Sequence, residues 1–158
     1  MKKLIFSITF IISCCGYSTK ILLPSNIKTI AIPVVNNLTI KPGLAELLTE
    51  QLITDFTKDR TLQIAQLDKA DLILECKITN YEKTPQSYTA DQEVTEWKIT
   101  LTAEIMVENK TSAEPEILIK ENVSVWIIYD ASKEEDEGIQ QAISKLSQEI
   151  IRKVTTSW

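Results

Sequence analysis

Between residues 93 and 108 apolar and polar side chains alternate. Trp97, Ile99, Leu101, Ala103, Ile105 and Val107 share one parity, and Glu96, Lys98, Thr100, Thr102 and Glu104 share the other. A period of two kept over that length describes an antiparallel strand buried on one face only. It obliges the rest of the chain to supply a second apolar layer. Two further stretches repeat the pattern. Residues 71–81 place Leu72, Leu74, Cys76 and Ile78 on one side. Residues 117–129 place Ile117, Ile119, Val123, Val125 and Ile127 opposite Lys120, Asn122, Ser124 and Trp126. The polar segments 83–92, with Pro85, and 109–115 read as the hairpin loops between them. An earlier strand is expected over 28–35, where Ile30, Ile32 and Val34 alternate with Thr29, Ala31 and Pro33. Pro33 cannot donate to a ladder and marks an edge, a bulge or the end of that strand. Residues 36–39 read as a polar turn, and 61–65 as room for one more short strand.

The second layer comes from two amphipathic helices. Leu44, Leu47, Leu48, Leu52 and Phe56 recur at three- and four-residue spacing after Pro42-Gly43. Ile139, Ala142, Ile143, Leu146, Ile150 and Val154 do the same near the end of the chain. Ser132 with Glu135 three residues on has the form of a capping box. The acids of 134–137 and the bases Arg152-Lys153 complement the helix dipole. That accounts for the acidic run without a metal. The expected class is α+β, a two-layer α/β sandwich. Its sheet is mainly antiparallel and four-stranded, packed by two helices in the order β-α-β-β-β-α.

The first residues carry a different signal. Lys2 and Lys3 precede the apolar run of 4–12, and Ser13, Cys14 and Cys15 follow. This is the layout of a secretory signal peptide. It is too short for a membrane span, which needs about 20 apolar residues. Ile11-Ile12-Ser13-Cys14 resembles the lipobox of bacterial lipoproteins. In that class a cysteine thiol receives a diacylglycerol, the peptide before it is removed, and the new amino group is acylated, commonly with palmitate. Cys14, with Ser13 before it, is the preferred site, and Cys15 is the fallback. An ordinary signal peptide is the plainer alternative. Neither cysteine is followed directly by Asp, which among lipoproteins implies the outer membrane. The expected organisation is a signal peptide over 1–13, an anchor and short linker over 14–27, and one domain over 28–158.

Composition excludes several chemistries. The 158 residues include no histidine, which removes the commonest general base and metal ligand. No Gly-rich phosphate loop and no nucleophile beside a base stand in the sequence, so an enzyme is not expected, nor a cofactor or metal. Lys and Arg number 17 against 22 Asp and Glu. An acidic chain of this kind is a poor ligand for nucleic acid. Cys76, on an apolar strand face, reads as a small buried hydrophobe.

Several short stretches together resemble the lipopolysaccharide-assembly lipoprotein family, LptE. They are Cys15-Gly16-Tyr17-Ser18, Leu23-Pro24, the run 27–34 with its late proline, Pro42-Gly43-Leu44, Ala70-Asp71-Leu72-Ile73-Leu74 and Ile78-Thr79-Asn80-Tyr81. The resemblance implies a non-enzymatic lipoprotein on the periplasmic side of the cell outer membrane. Such a protein plugs and helps fold a large β-barrel, LptD, and binds lipopolysaccharide. Lys77, Lys98 and Lys120 lie opposite the apolar stripe of their strands. They are the candidate contacts to the barrel or the lipid, set among Thr79, Thr100, Thr102, Asn122 and Ser124. A plain solvated sheet surface is the alternative for that face. Lipid phosphates call for clustered bases, and only Arg60 and Arg152 supply guanidinium groups. Docking into the barrel is therefore the firmer expectation. A lipoprotein pilot or activator of another envelope complex, a secretin or a cell-wall synthase, is the alternative function. The short linker argues against a synthase at the inner membrane.

Overall fold

The computed structural model describes residues 26–112 and 114–156. In chain order the elements are β1 (Thr29–Ala31), β2 (Asn36–Asn37), α1 (Leu44–Asp59), β3 (Gln63–Ile64), β4 (Leu72–Tyr88), β5 (Val94–Asn109), β6 (Glu116–Asp130) and α2 (Glu135–Thr156). Strands β4, β5 and β6 form an antiparallel meander. Leu101 of β5 lies between Tyr81 and Val125, and Val107 between Leu74 and Ile119. The apolar parity of β5 is buried from Ile99 to Val107, as its alternation requires.

The sheet has six strands rather than four, in the order β3-β1-β4-β5-β6, with β2 also on β4. The two strands beyond the four are β2 and β3, the latter within 61–65, and the short pairings are parallel: β1 with β3, β1 with β4, and β2 with β4. The strand expected over 28–35 breaks after Ala31, because Pro33 has no N–H to give the ladder. The chain re-enters the sheet at Asn36-Asn37, where a turn was expected. Val34 is consequently exposed. Pro85 does not end a strand. β4 continues to Tyr88 with Pro85 opposite Trp97, on a stretch whose other edge carries no strand. In β6 a bulge shifts the register, so that Ile119 faces Val107 but Ile117 faces Glu108. Ile117 is turned out to solvent, against the expected parity.

Both helices cover the same sheet face. α2 lies over β5 and β6, and α1 packs beside α2 toward β2 and β3. Gly43 at the start of α1 has φ of 81°, a conformation that side chains disfavour. Leu44, Leu48, Leu52 and Phe56 are buried, whereas Leu47 lies on the flank of the stripe and is exposed. The expected stripe of α2 is buried throughout. Ser147, fully buried, donates a 2.8 Å hydrogen bond to Asp55 and joins the two helices. Gly138 lets α2 approach Tyr129 closely, since a Cβ there would sit 2.7 Å from its ring. Cys76 is buried and free, and burial pushes its thiol up to about 12. That is the inert behaviour expected of it. Among the described residues no helix is long and apolar enough to cross a membrane.

Candidate functional site

The helices leave the second face of the β4-β5-β6 meander open. Register sets its side chains in rows: Glu75, Met106 and Lys120; Lys77, Glu104 and Asn122; Asn80, Thr102 and Ser124; Glu82, Thr100 and Trp126; Thr84, Lys98 and Ile128. Small hydroxyls occupy the middle, with Thr102 and Ser124 hydrogen-bonded at 3.0 Å. Acids and lysines alternate around them.

All three candidate lysines stand on this face, but they do not converge. Lys77 pairs with Glu104 at 3.8 Å. Lys120 lies one row away on β6, roughly 10 Å across the sheet. Lys98 lies six residues along β5 from Glu104, about 20 Å away. Its ammonium sits 5.4 Å from the centre of the Trp126 ring. Lys145 of α2 reaches round the β6 edge to the same ring, at 4.9 Å, and donates to the Trp126 carbonyl at 3.0 Å. A lysine across a free edge discourages further strand pairing there. A phosphate held by several cations at once is not what this spacing provides. A wide, wet contact with another polar surface is.

The densest polar cluster lies on the helix side of the sheet. Glu135, in the first turn of α2, accepts from Lys41 Nζ at 2.7 Å, Lys83 Nζ at 2.7 Å and the Tyr81 hydroxyl at 2.8 Å. Lys83 also lies 4.5 Å from the centre of the Trp97 ring. Bonds from Lys41, Lys83 and Tyr81 hold the Glu135 carboxyl down at about 2, against a small opposing effect of burial. Burial is the largest single effect on Lys83 and disfavours its charge, but the combined pull of Glu135 and Tyr129 exceeds it, so its pKa is raised. Burial and the neighbouring carboxylate raise that of Tyr81. The expected capping box is therefore absent. The Ser132 hydroxyl donates to Asp130 instead, at 2.7 Å. Glu135 is the residue that sequence reasoning placed but misread, and Lys83 was assigned to a loop. The parity that carries Ile99 and Leu101 inward also carries Lys83 and Tyr81 inward, and that was the available signal.

Between α1 and α2 runs an open furrow of about 580 Å³, lined by Gln51, Gln140, Gln141 and Gln148 among others. Among the described residues no three His, Cys, Asp or Glu side chains gather as metal ligands would.

The model of one family, LptE, described as lipopolysaccharide-assembly, matches residues 27–155, nearly all of the described fold. The chain belongs to the LptE family. No curated protein matches the sequence. Among solved structures, a hypothetical protein from Chlamydia trachomatis superposes with a TM-score of 0.65 at 12% identity, covering 82% of this chain and 96% of that one. A minor lipoprotein from Acinetobacter baumannii gives 0.53 at 16% identity, over 84% and 93%. The rare lipoprotein B from Shewanella oneidensis gives 0.52 at 13%, over 80% and 93%. At these identities the likeness is one of fold. LptE is a non-catalytic lipoprotein family, and this LptE-family chain has the fold of an envelope lipoprotein of that type.

Proposed function

We propose that this chain is a lipid-anchored protein of the cell outer membrane that docks inside an LptD-like β-barrel from the periplasmic side and assists lipopolysaccharide transport to the cell surface. The observation that carries the reading is the LptE family match over residues 27–155. The open sheet face supports it. Barrel lumens are polar and wet, and a surface of hydroxyls, amides and alternating charge is suited to such a wall. In this reading Lys77, Lys98 and Lys120 meet acidic barrel residues singly. Their spread over about 27 Å along the strands makes direct clamping of lipopolysaccharide phosphates the lesser part of their role.

Reversal of all three lysines tests the face. Lys77→Glu, Lys98→Glu and Lys120→Glu together should leave the isolated domain folded. Among the described residues the ion pair lost is Lys77–Glu104, which is solvent-exposed, and such pairs contribute about 1 kcal/mol or less. Recovery of the barrel from detergent-solubilised membranes should fall. A folded variant that recovers the barrel at the unmutated yield would move the contact to the helices or loops. If the unmutated protein brings down a secretin or a synthase in place of a barrel, the pilot reading replaces this one.

The anchor is assigned to Cys14, with residues 1–13 removed, 14–27 linking the lipid to the domain, and 28–158 forming the domain. Positions 1–25 lie outside the described residues. Mass analysis of the mature N-terminal peptide should show a triacylated Cys14. Acylation at Cys15, with Cys14 lost, would reverse the choice of cysteine, and an unmodified terminus would remove the anchor.

A further inference from the structure

The segment joining β1 to α1 is anomalous for a surface loop. No charged residue stands between Lys28 and Lys41. Val34 is 76% exposed, Leu38 61%, and Ile40 completely. Large apolar side chains concentrated in so short an exposed segment commonly mark an interaction site.

Several polar groups of the loop are paired within the protein. The Leu38 N–H donates to the Ile78 carbonyl at 2.9 Å. Asn37 Oδ1 accepts from the Thr39 amide at 3.0 Å and from its hydroxyl at 2.8 Å. Asn37 Nδ2 donates to the Lys41 carbonyl at 2.7 Å, and the Lys41 amide donates to Thr39 Oγ1 at 3.3 Å. The same pattern serves the turns at Asn109–Thr111 and Asp130–Ser132, so it does not mark this loop out, but it leaves these groups already paired if the loop leaves water. The first charge after the tip is turned away, because the Lys41 ammonium is bound to Glu135.

We propose that Leu38 and Ile40 form a tip that inserts into the phospholipid surface to which the chain is tethered. The proposal rests on the anchored reading above, not on the barrel. The tether permits it. Eleven residues, 15–25, separate the assigned anchor from Asn26, and the twelve steps between them reach at most about 40 Å. Asn26, the first described residue, donates to Thr111 in the loop between β5 and β6. Ile30 lies opposite Leu72 and Asn37 opposite Ile78, so β2 and its tip stand about 20 Å further along the sheet. The tip is thus within the span the tether allows. An uncharged apolar tip is a poor match for a polar lumen wall and a good one for the acyl boundary of a leaflet.

The test uses the full, lipidated chain carrying a photo-reactive benzophenone amino acid at Ile40 or, for comparison, at Lys120. The protein is reconstituted into vesicles of phosphatidylethanolamine and phosphatidylglycerol and irradiated. Position 40 should give a phospholipid adduct on its peptide, and position 120 should not. Adding Leu38→Asp should cut that adduct about tenfold or more. This change leaves the fold intact, because Leu38 faces outward. A chain that floats with the vesicles but gives no lipid adduct at position 40 would overturn the tip while leaving the anchor standing. A chain that fails to float would overturn the anchor and the tip with it. Irradiation in cell membranes adds one further outcome: a protein band as the main product at position 40 would make the tip a protein-docking element and overturn lipid insertion.

Discussion

Leu101→Asp is expected to leave the domain unfolded at room temperature, while the adjacent Thr102→Asp melts close to the unmutated protein. Leu101 has no exposed surface and sits in the central row of the sheet, flanked by Tyr81 and Val125 beneath the helices. Losing a buried leucine costs about 2–5 kcal/mol. An unpaired carboxyl in the same place adds several kcal/mol more. A domain of this size has about 5–15 kcal/mol in total, so the sum removes most or all of its stability. Thr102 points to the open face, where its hydroxyl bonds Ser124. Loss of that exposed bond costs about 1 kcal/mol. Thermal melts followed by circular dichroism decide the matter. Equal losses from the two changes would mean that the sheet is covered on both faces, and the open docking surface would not exist.

The contrast depends on parity, and parity was the part of this fold that could be read directly. β5 pairs along its whole length with two long neighbours, so its environment alternates and its sequence must alternate with it. The short strands carry less of that signal. Alternation over 28–35 placed β1 and 61–65 left room for β3, but the two residues of β2 show no period and are a strand only because β4 lies alongside. Asn36-Asn37 has turn chemistry and uses it, since the Asn37 side chain builds the next loop while its backbone pairs with β4. The bulge that exposes Ile117 is likewise a property of two strands in register. For the site, the shared face of Lys77, Lys98 and Lys120 was legible from alternation. Their separation was not, because it depends on how the hairpins align. Glu135 shows the same limit. Locally Ser132 and Glu135 satisfy a capping box, yet two ammonium groups from β4 and the β2–α1 loop offer stronger, charge-assisted bonds and take the carboxylate away.

Glu135→Gln should therefore destabilise the domain much more than an ordinary surface change, by about 2 kcal/mol at neutral pH. Lys41, Lys83 and Glu135 are each roughly 30% exposed at the side chain, so the cost falls between that of an exposed pair and the 3–5 kcal/mol of a buried one. In melting temperature this is roughly 5–10 °C. The pH dependence identifies the group. The Glu135 carboxyl is held at about 2 in the fold, against 4.5 ordinarily. A depressed acid contributes its full stabilisation above its unfolded value and loses it as pH falls toward the folded one. The unmutated protein should thus weaken relative to the variant between about pH 5 and pH 2, and the two should converge at the acid end. Asp71, lowered chiefly by the Lys28 amide, and Asp130, lowered by Ser132, titrate in the same direction. They do so in both proteins and cancel in the difference. A gap between the two melts that stays constant from pH 7 to pH 2 would show that packing around the α2 N-terminus, and not the charge on Glu135, supplies the stability. Release of Lys41 has a second consequence, because that lysine lies in the β2–α1 loop next to Ile40. With its ammonium freed, a positive charge can swing beside Ile40, and amide exchange from Leu38 to Lys41 should quicken in the variant while the β5 core stays protected.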